Sequence, residues 1–288
     1  IMLVARHVRE NKEAVLEQLK IRGLNADDLV KKLIQEDDNR KNIQVKLDAL
    51  LSSLNNLNKE IGGLYQQGKH NEAEKNKQES VLLKQDIKKL QDEHLLCNKN
   101  IHEILIELPN VPHISVPFGK DEQDNKILKQ SEFIPKLSKE AQPHWELVVN
   151  YNLVDFELGS KITGKGFPVY IDKGARLQRA LISYFLDKNI SAGYVEYLPP
   201  HVVNEESAFS TGQLPKFEED LFKIASDNLF LIPTAEVPIT NLFRDCIIEE
   251  KKLPIKCTSY TPCFRREAGS YGKEVRGLNR LHQFDKVE

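Results

Sequence analysis

The sequence predicts an α+β protein in two parts: a long antiparallel helical hairpin, then a mixed domain of short strands and helices. Three observations carry this. Apolar residues at Ile43, Leu47, Leu50, Leu54, Leu57, Ile61 and Leu64 alternate spacings of four and three, which is the seam of a coiled coil. A second such run follows after a short interruption, at Ala73, Asn76, Ser80, Leu83, Ile87, Leu90, His94, Cys97, Ile101, Ile104 and Leu108. A short connection makes two long helices antiparallel neighbours. Beyond about residue 145, strand-like and helix-like stretches mix without strict alternation, which favours α+β over a parallel α/β sheet.

In chain order, Asn11–Lys20 is helical by its apolar positions 15, 16 and 19, and Gly23 with Asn25 ends it. Asn25 or Asp27 can cap the next helix. The first long helix is expected from about Asp27 to Gln66 and the second from about Asn71 to Leu108, each about 60 Å long. Gly62, Gly63 and Gly68 are expected to mark a break or weakened turn between them. A plain oligomerisation coil has no need of these glycines, so the hairpin is favoured. His94 on the seam reads as a tolerated core polar residue rather than a ligand. The balanced acids and bases along both helices read as solvated faces. Pro109 and Pro112 stop the second helix. The polar, Pro-rich stretch after them, with Lys120–Asn125, reads as a linker. The expected division is 1–110 for the helical arm, 111–145 for the linker and 146–288 for the mixed domain.

Within that domain, Leu177–Leu186 is a helix by spacing and Tyr194–Pro200 a strand ended by prolines. Leu229–Ile232 is a buried-strand candidate, and Ala235–Arg244 opens another helix. Gly159–Lys165 has the spacing of a phosphate-binding P-loop. However, Gly166 stands where that motif needs Ser or Thr, and no hydrophobic strand leads in. It is set aside as a decoy.

The last stretch, Thr258–Glu288, reads as strand, loop, strand, with Gly269, Gly272 and Gly277 punctuating the loop. Strand alternation from Leu281 onward places Arg280, His282, Phe284, Lys286 and Glu288 on one face. Arg265 and Glu267 share a face of the opposing strand. A cation, an aromatic plate and a carboxylate in a row could hold a phosphate, a base and an ammonium group. On spacing alone a plain polar hairpin at a sheet edge fits somewhat better, and both readings stand at this point.

The 288 residues are 40% hydrophobic and 29% charged, enough for two domains with a core. The formal net charge of −2 does not advertise a nucleic-acid partner, although a local basic surface is compatible with it. The cysteines, Cys97, Cys246, Cys257 and Cys263, form no Cys-x-x-Cys pair and fit no zinc spacing. Free thiols in a reducing compartment are expected. No apolar run approaches the roughly 20 residues that span a bilayer, and no signal peptide is expected before the charges that begin at Arg6. The expected location is the cytoplasm.

Taken together, the motifs resemble those of bacterial-type seryl-tRNA synthetases, class II aminoacyl-tRNA synthetases. The likeness runs through Ile61-Gly-Gly-Leu64, Asp155-Phe-Glu157, Gly174–Ala180, Tyr197–Asn204, Thr211–Phe217, Thr234–Pro238, Phe264–Ser270, Arg276-Gly-Leu278 and His282–Glu288. Each motif is short, and their joint order and spacing carry the specificity. The resemblance implies an antiparallel-sheet catalytic domain flanked by helices, a homodimer, and a helical arm that grips tRNA by shape and backbone. It implies the two-step loading of L-serine: activation by ATP to seryl-adenylate, then transfer to tRNA(Ser). Selenocysteine tRNA, tRNA(Sec), is left open as a second carrier.

By the same resemblance, Arg265 contacts the α-phosphate and the serine carboxylate, a task suited to a bidentate guanidinium. Glu267 accepts from the adenine amino group, Phe284 stacks on adenine and Arg280 reaches the distal phosphates. Arg266 is grouped with these ATP contacts, although alternation puts it on the other face and the family commonly has a small residue there. Thr234, Ala235, Glu236, Arg265 and Glu288 form the serine pocket, with Arg265 and Glu288 as its catalytic pair. Thr234 also reads as a helix cap with Glu236 in the first turn, and the two roles are compatible. Candidate tRNA contacts are Lys69, Lys75 and Lys77 on the arm, and Lys273 and Arg276 in the final loop. ATP is expected with Mg2+, with no metal ligand within this chain.

The family's third signature, a Gly-rich strand–helix with an ATP-binding arginine, is expected beyond Glu288, so the polypeptide is expected to be truncated and inactive alone. Two rivals remain: a synthetase paralogue loading another carrier, which the long arm argues against, and a non-catalytic coiled-coil scaffold, which the intact motif residues argue against.

Overall fold

A computed structural model describes residues 3–268 and 276–288. The chain divides into two compact units, Ile1–Ile134 and Pro135–Glu288.

The first unit is helical. Short helices α1 (Ala5–Glu10) and α2 (Lys12–Ile21) precede α3 (Asp27–Gln66) and α4 (His70–Glu107). Helices α3 and α4 pack against each other as the antiparallel hairpin expected from the heptads. Every seam position from Ile43 to Leu108 is buried or half-buried, while off-seam Val45, Leu82, Leu95 and Leu96 are exposed. The glycine reading needs correction. Gly62 and Gly63 lie inside α3, and only Gly68, at φ 76°, turns the chain. Forty residues of seam packing offset the roughly 1 kcal/mol that a helical glycine costs, whereas the turn needs a positive φ. At the base of the hairpin, Val8, Val15, Leu19, Val30, Leu33, Ile101, Ile104 and Leu108 form one core. There Arg9 of α1 reaches Asp37 of α3, which also binds Arg40 and Lys41.

The second unit contains α5 (His144–Asn150), β1 (Val154–Asp155), α6 (Phe156–Ile162), β2 (Val169–Tyr170), α7 (Lys173–Ser191), β3 (Val195–Glu196), β4 (Val202–Asn204) and α8 (Glu205–Ser210). It continues with β5 (Lys223–Ile224), β6 (Leu229–Leu231), α9 (Glu236–Asn241), β7 (Cys257–Thr258), β8 (Tyr260–Phe264) and β9 (Gln283–Val287). Strand pairing is antiparallel in β1–β2, β4–β6–β5 and β8–β9, and parallel in β3–β7. The predicted strand from Tyr194 to Pro200 shrinks to β3, because the prolines have no N–H to extend the ladder. The helix read at Leu177–Leu186 is the middle of the longer α7. Gly159, first residue of the P-loop decoy, sits inside α6 against the Phe167 carbonyl, where a Cβ would collide. It serves close packing.

In this unit Val203, Ala208, Leu214, Leu221, Phe230, Ile232 and Val237 form a core. It fixes the segment between β6 and α9, where Thr234 lies.

Candidate active site

The β8–β9 hairpin pairs Thr261 with Lys286 and Cys263 with Phe284. Directly opposed residues share a face, so Thr261, Cys263, Phe284 and Lys286 face one side, with Arg265 and Glu288 just past the strand ends. On the other side, Tyr260 donates from its hydroxyl to Asp285 and Gln178 of α7 donates to the same carboxylate. Burial and the Asp285 carboxylate push the Tyr260 phenol up to about 12. The Glu288 backbone closes the hairpin, exchanging N–H and C=O bonds with Ser259.

The Glu288 carboxylate is the focus of the first face. Thr234 Oγ1 lies 2.6 and 2.8 Å from its two oxygens, and the Ala235 N–H donates to Oε2 at 2.8 Å. Lys286 Nζ donates to Oε1 and to Thr234 Oγ1. Burial alone would push the Glu288 carboxyl up. The Lys286 ammonium, the Thr234 hydroxyl and the Ala235 amide outweigh it and hold the pKa below the usual carboxylate value. Thr234 is 3.5 Å from the Glu236 N–H, so its short bonds go to Glu288 rather than to a cap. Glu236 begins α9 and is exposed.

The neighbouring cleft, about 370 Å3, is lined by Phe217, Asp220, Thr234, Arg265, Glu267 and Arg280, among others. The Arg265 guanidinium lies over the Phe284 ring, 5.3 Å from its centre, and its Nε donates to the Pro233 carbonyl. Arg280 bonds Glu267 at 2.6 Å.

Two sequence expectations fail in detail. The strand does not reach Arg280 or His282, since β9 starts at Gln283. The His282 ring instead packs against Phe167 and Phe222, and the backbone N–H of His282 donates to the Gly166 carbonyl. Likewise β8 ends at Phe264, and Glu267 adopts a left-handed φ of 50°. Glu267 and Arg265 therefore do not alternate on a strand, although both line the cleft. The turn is held by Asp220, whose carbonyl accepts from the Arg266 N–H and whose carboxylate accepts from the Ala268 N–H. The Arg266 side chain is exposed.

Sequence reasoning gave no role to Asp220, to Lys286 or to His144, whose Nε2 accepts from the Leu278 N–H across 134 positions. Only Lys286 had a signal, two residues before Glu288 on the same strand face. Lys273 lies outside the described residues. Arg276 is exposed, as are Lys69, Lys75 and Lys77. Among the described residues, no group of three His, Cys, Asp or Glu side chains is arranged to hold a metal.

Residues 2–112 match the family described as the seryl-tRNA synthetase N-terminal domain, and residues 217–288 the class II tRNA synthetase core domain for G, H, P, S and T. A serine–tRNA ligase of Geobacter sp. strain M21 is 44% identical over 288 residues, covering 100% of this chain and 67% of that relative. The chain belongs to the seryl-tRNA synthetase family. A second family member, from Salinibacter ruber, is 45% identical over 98% of this chain and 66% of its own length. The crystal structure of the Pyrococcus horikoshii seryl-tRNA synthetase complexed with ATP superposes with a TM-score of 0.83 at 29% identity, over 99% of this chain and 68% of that one. The Naegleria fowleri enzyme, in complex with AMP, superposes at 0.78 and 25% identity over 96% of this chain and 63% of that one. The chain thus spans about two thirds of the length of these family members.

Proposed function

We propose that the full-length protein carrying this chain is a serine–tRNA ligase, activating L-serine with ATP and transferring it to tRNA(Ser). The observation that carries the reading is the Glu288 carboxylate, fixed by Thr234 and Ala235 on the face that also presents Arg265 and Phe284. It offers an anchor for an ammonium beside an anchor for a carboxylate.

In this reading serine's carboxylate oxygen attacks the α-phosphorus of ATP, the P–O bond to the β-phosphate breaks, and pyrophosphate leaves. The adenylate then passes its acyl group to a hydroxyl of the tRNA's terminal adenosine, releasing AMP. The carboxylate is already anionic, so no protein nucleophile is required. Catalysis is positioning plus charge stabilisation. Arg265 bridges the serine carboxylate and the α-phosphate, Phe284 stacks on adenine, Glu267 accepts from its amino group and Arg280 meets the distal phosphates. Arg266 joins the ATP contacts only as the neighbour of Arg265. Glu288, Thr234, Ala235 and Glu236 form the serine pocket.

Mg2+ is the expected companion of ATP. The described site does not make a cage for it, since Glu267 and Glu288 are each already bonded to a cation of this chain, and no step is assigned to the metal. The arm is proposed to hold tRNA, with Lys69, Lys75, Lys77, Lys273 and Arg276 as contacts. A homodimer is proposed through the apolar groove of Leu198, Pro199, Val202, Ile239 and Leu242. No helix among the described residues is long and apolar enough to cross a membrane. The cysteines are free, which fits the reducing cytoplasm.

Charging of unfractionated tRNA with labelled amino acids tests this. The full-length protein is expected to load serine, and selenocysteine tRNA is a second carrier to be assayed. Loading of another amino acid, or none, overturns the reading.

A further inference from the structure

The serine pocket already contains an ammonium group, which belongs to Lys286. Its Nζ bonds Glu288 Oε1 and lies 3.1 Å from Thr234 Oγ1. Both groups belong to the proposed serine pocket, in which Glu288 is the anchor for the substrate's ammonium. We infer that Lys286 is a specificity-determining residue: its ammonium holds Glu288 in the free site and yields it only to a substrate bringing both an ammonium and a carboxylate. This inference rests on the serine reading above and adds the reason the pocket selects zwitterions.

The charge arithmetic carries it. The Glu288 side chain is only 17% exposed, so its carboxylate needs a cation at all times. A substrate ammonium can replace Lys286 there, but Lys286 is then left without an anion. Its side chain is 33% exposed, enough to swing a short way. Lys286 and Phe284 are two residues apart on one strand face, and Arg265 covers the Phe284 ring. Lys286 and Arg265 therefore flank one spot on that face. A substrate carboxylate placed there meets both cations. The exchange then gains an ion pair: Lys286–Glu288 is lost, while ammonium–Glu288 and carboxylate–Lys286 are formed. An amino alcohol supplies the first gain and not the second. It breaks an internal pair for one of equal kind and leaves Lys286 unpaired.

Titration calorimetry of the full-length protein with serine and with ethanolamine tests this, using wild type, K286R and K286M. The wild type is expected to prefer serine strongly, and K286R to retain that preference. In K286M the serine-to-ethanolamine affinity ratio is expected to fall by about tenfold or more, because serine loses a cation and ethanolamine no longer competes with one. K286Q replaces K286M if thermal melting shows that the latter does not fold. An unchanged ratio in the folded variant overturns the inference while leaving the serine reading intact. Failure of the wild type to bind serine overturns the serine reading and the inference with it.

Discussion

At the scale of single residues, the pocket depends on how Glu288 is held. The Thr234 hydroxyl reaches both carboxylate oxygens and receives Lys286. Thr234→Val keeps the shape and removes these bonds. It is expected to lower kcat/KM for serine by about 1.5–3 kcal/mol, roughly ten- to a hundredfold, with KM for ATP little changed. Pyrophosphate-exchange kinetics on the full-length protein measure both. Far along the chain, Asp37 makes a different kind of prediction. Its burial would raise the carboxyl, but Arg40, Lys41 and Arg9 outweigh that and hold the pKa at about 2. A depressed folded-state value contributes stability that is complete above the unfolded value near 4 and is lost as pH falls toward 2, here about 2 kcal/mol. Asp37→Asn should therefore destabilise the fold by about 2 kcal/mol or more at pH 7, and the gap should shrink by pH 3. Urea unfolding at the two pH values reads it. An equal gap at both would contradict the assigned role of the Asp37 charge. Thr234 and Glu288 were legible because they stand in compact motifs. For Asp37, the local pairs with Arg40 and Lys41 have readable spacings, but the bond from Arg9, 28 positions away on another helix, leaves no local pattern.

At the scale of elements, periodicity was informative where one pattern repeats for many turns. The seam specified α3 and α4 nearly to the residue, with Asp27 and Gln66 bounding the first as expected. Short strands were less legible. Alternation extended β9 back to Arg280 and β8 on to Glu267, yet the hairpin ends where Glu267 takes a left-handed turn and Asp220 captures the two amides. Those anchors come from distant segments and leave no local pattern. The seam itself makes a contrast that can be measured. Ile87, only 6% exposed, should cost about 2–4 kcal/mol when replaced by alanine. Leu95, 70% exposed on the same helix, should cost within about 0.5 kcal/mol. Similar losses from both in chemical denaturation would contradict the heptad assignment.

At the scale of the whole molecule, the two units carry separable tasks in the proposed reaction. The expected site residues for ATP and serine all lie in Pro135–Glu288, and the hairpin lies in Ile1–Ile134. Replacing residues 35–100 by a short loop should spare seryl-adenylate formation and abolish charging of tRNA. Equal loss of both would contradict a purely RNA-binding arm. The presence of two units was legible because a coiled-coil seam and a set of short polar motifs are different kinds of pattern, and they occupy different stretches of the chain. What the sequence alone did not reveal is that two acids of the site are already paired with cations of this chain, Glu288 with Lys286 and Glu267 with Arg280.

The central claim, that the face presenting Arg265 and Glu288 activates serine, is tested most directly by serine-dependent ATP–pyrophosphate exchange. The full-length protein and its E288Q variant are the two samples. The account predicts exchange that requires serine in the wild type and a loss of about a hundredfold or more in E288Q. Exchange that proceeds equally without serine, or that survives E288Q unchanged, would contradict it.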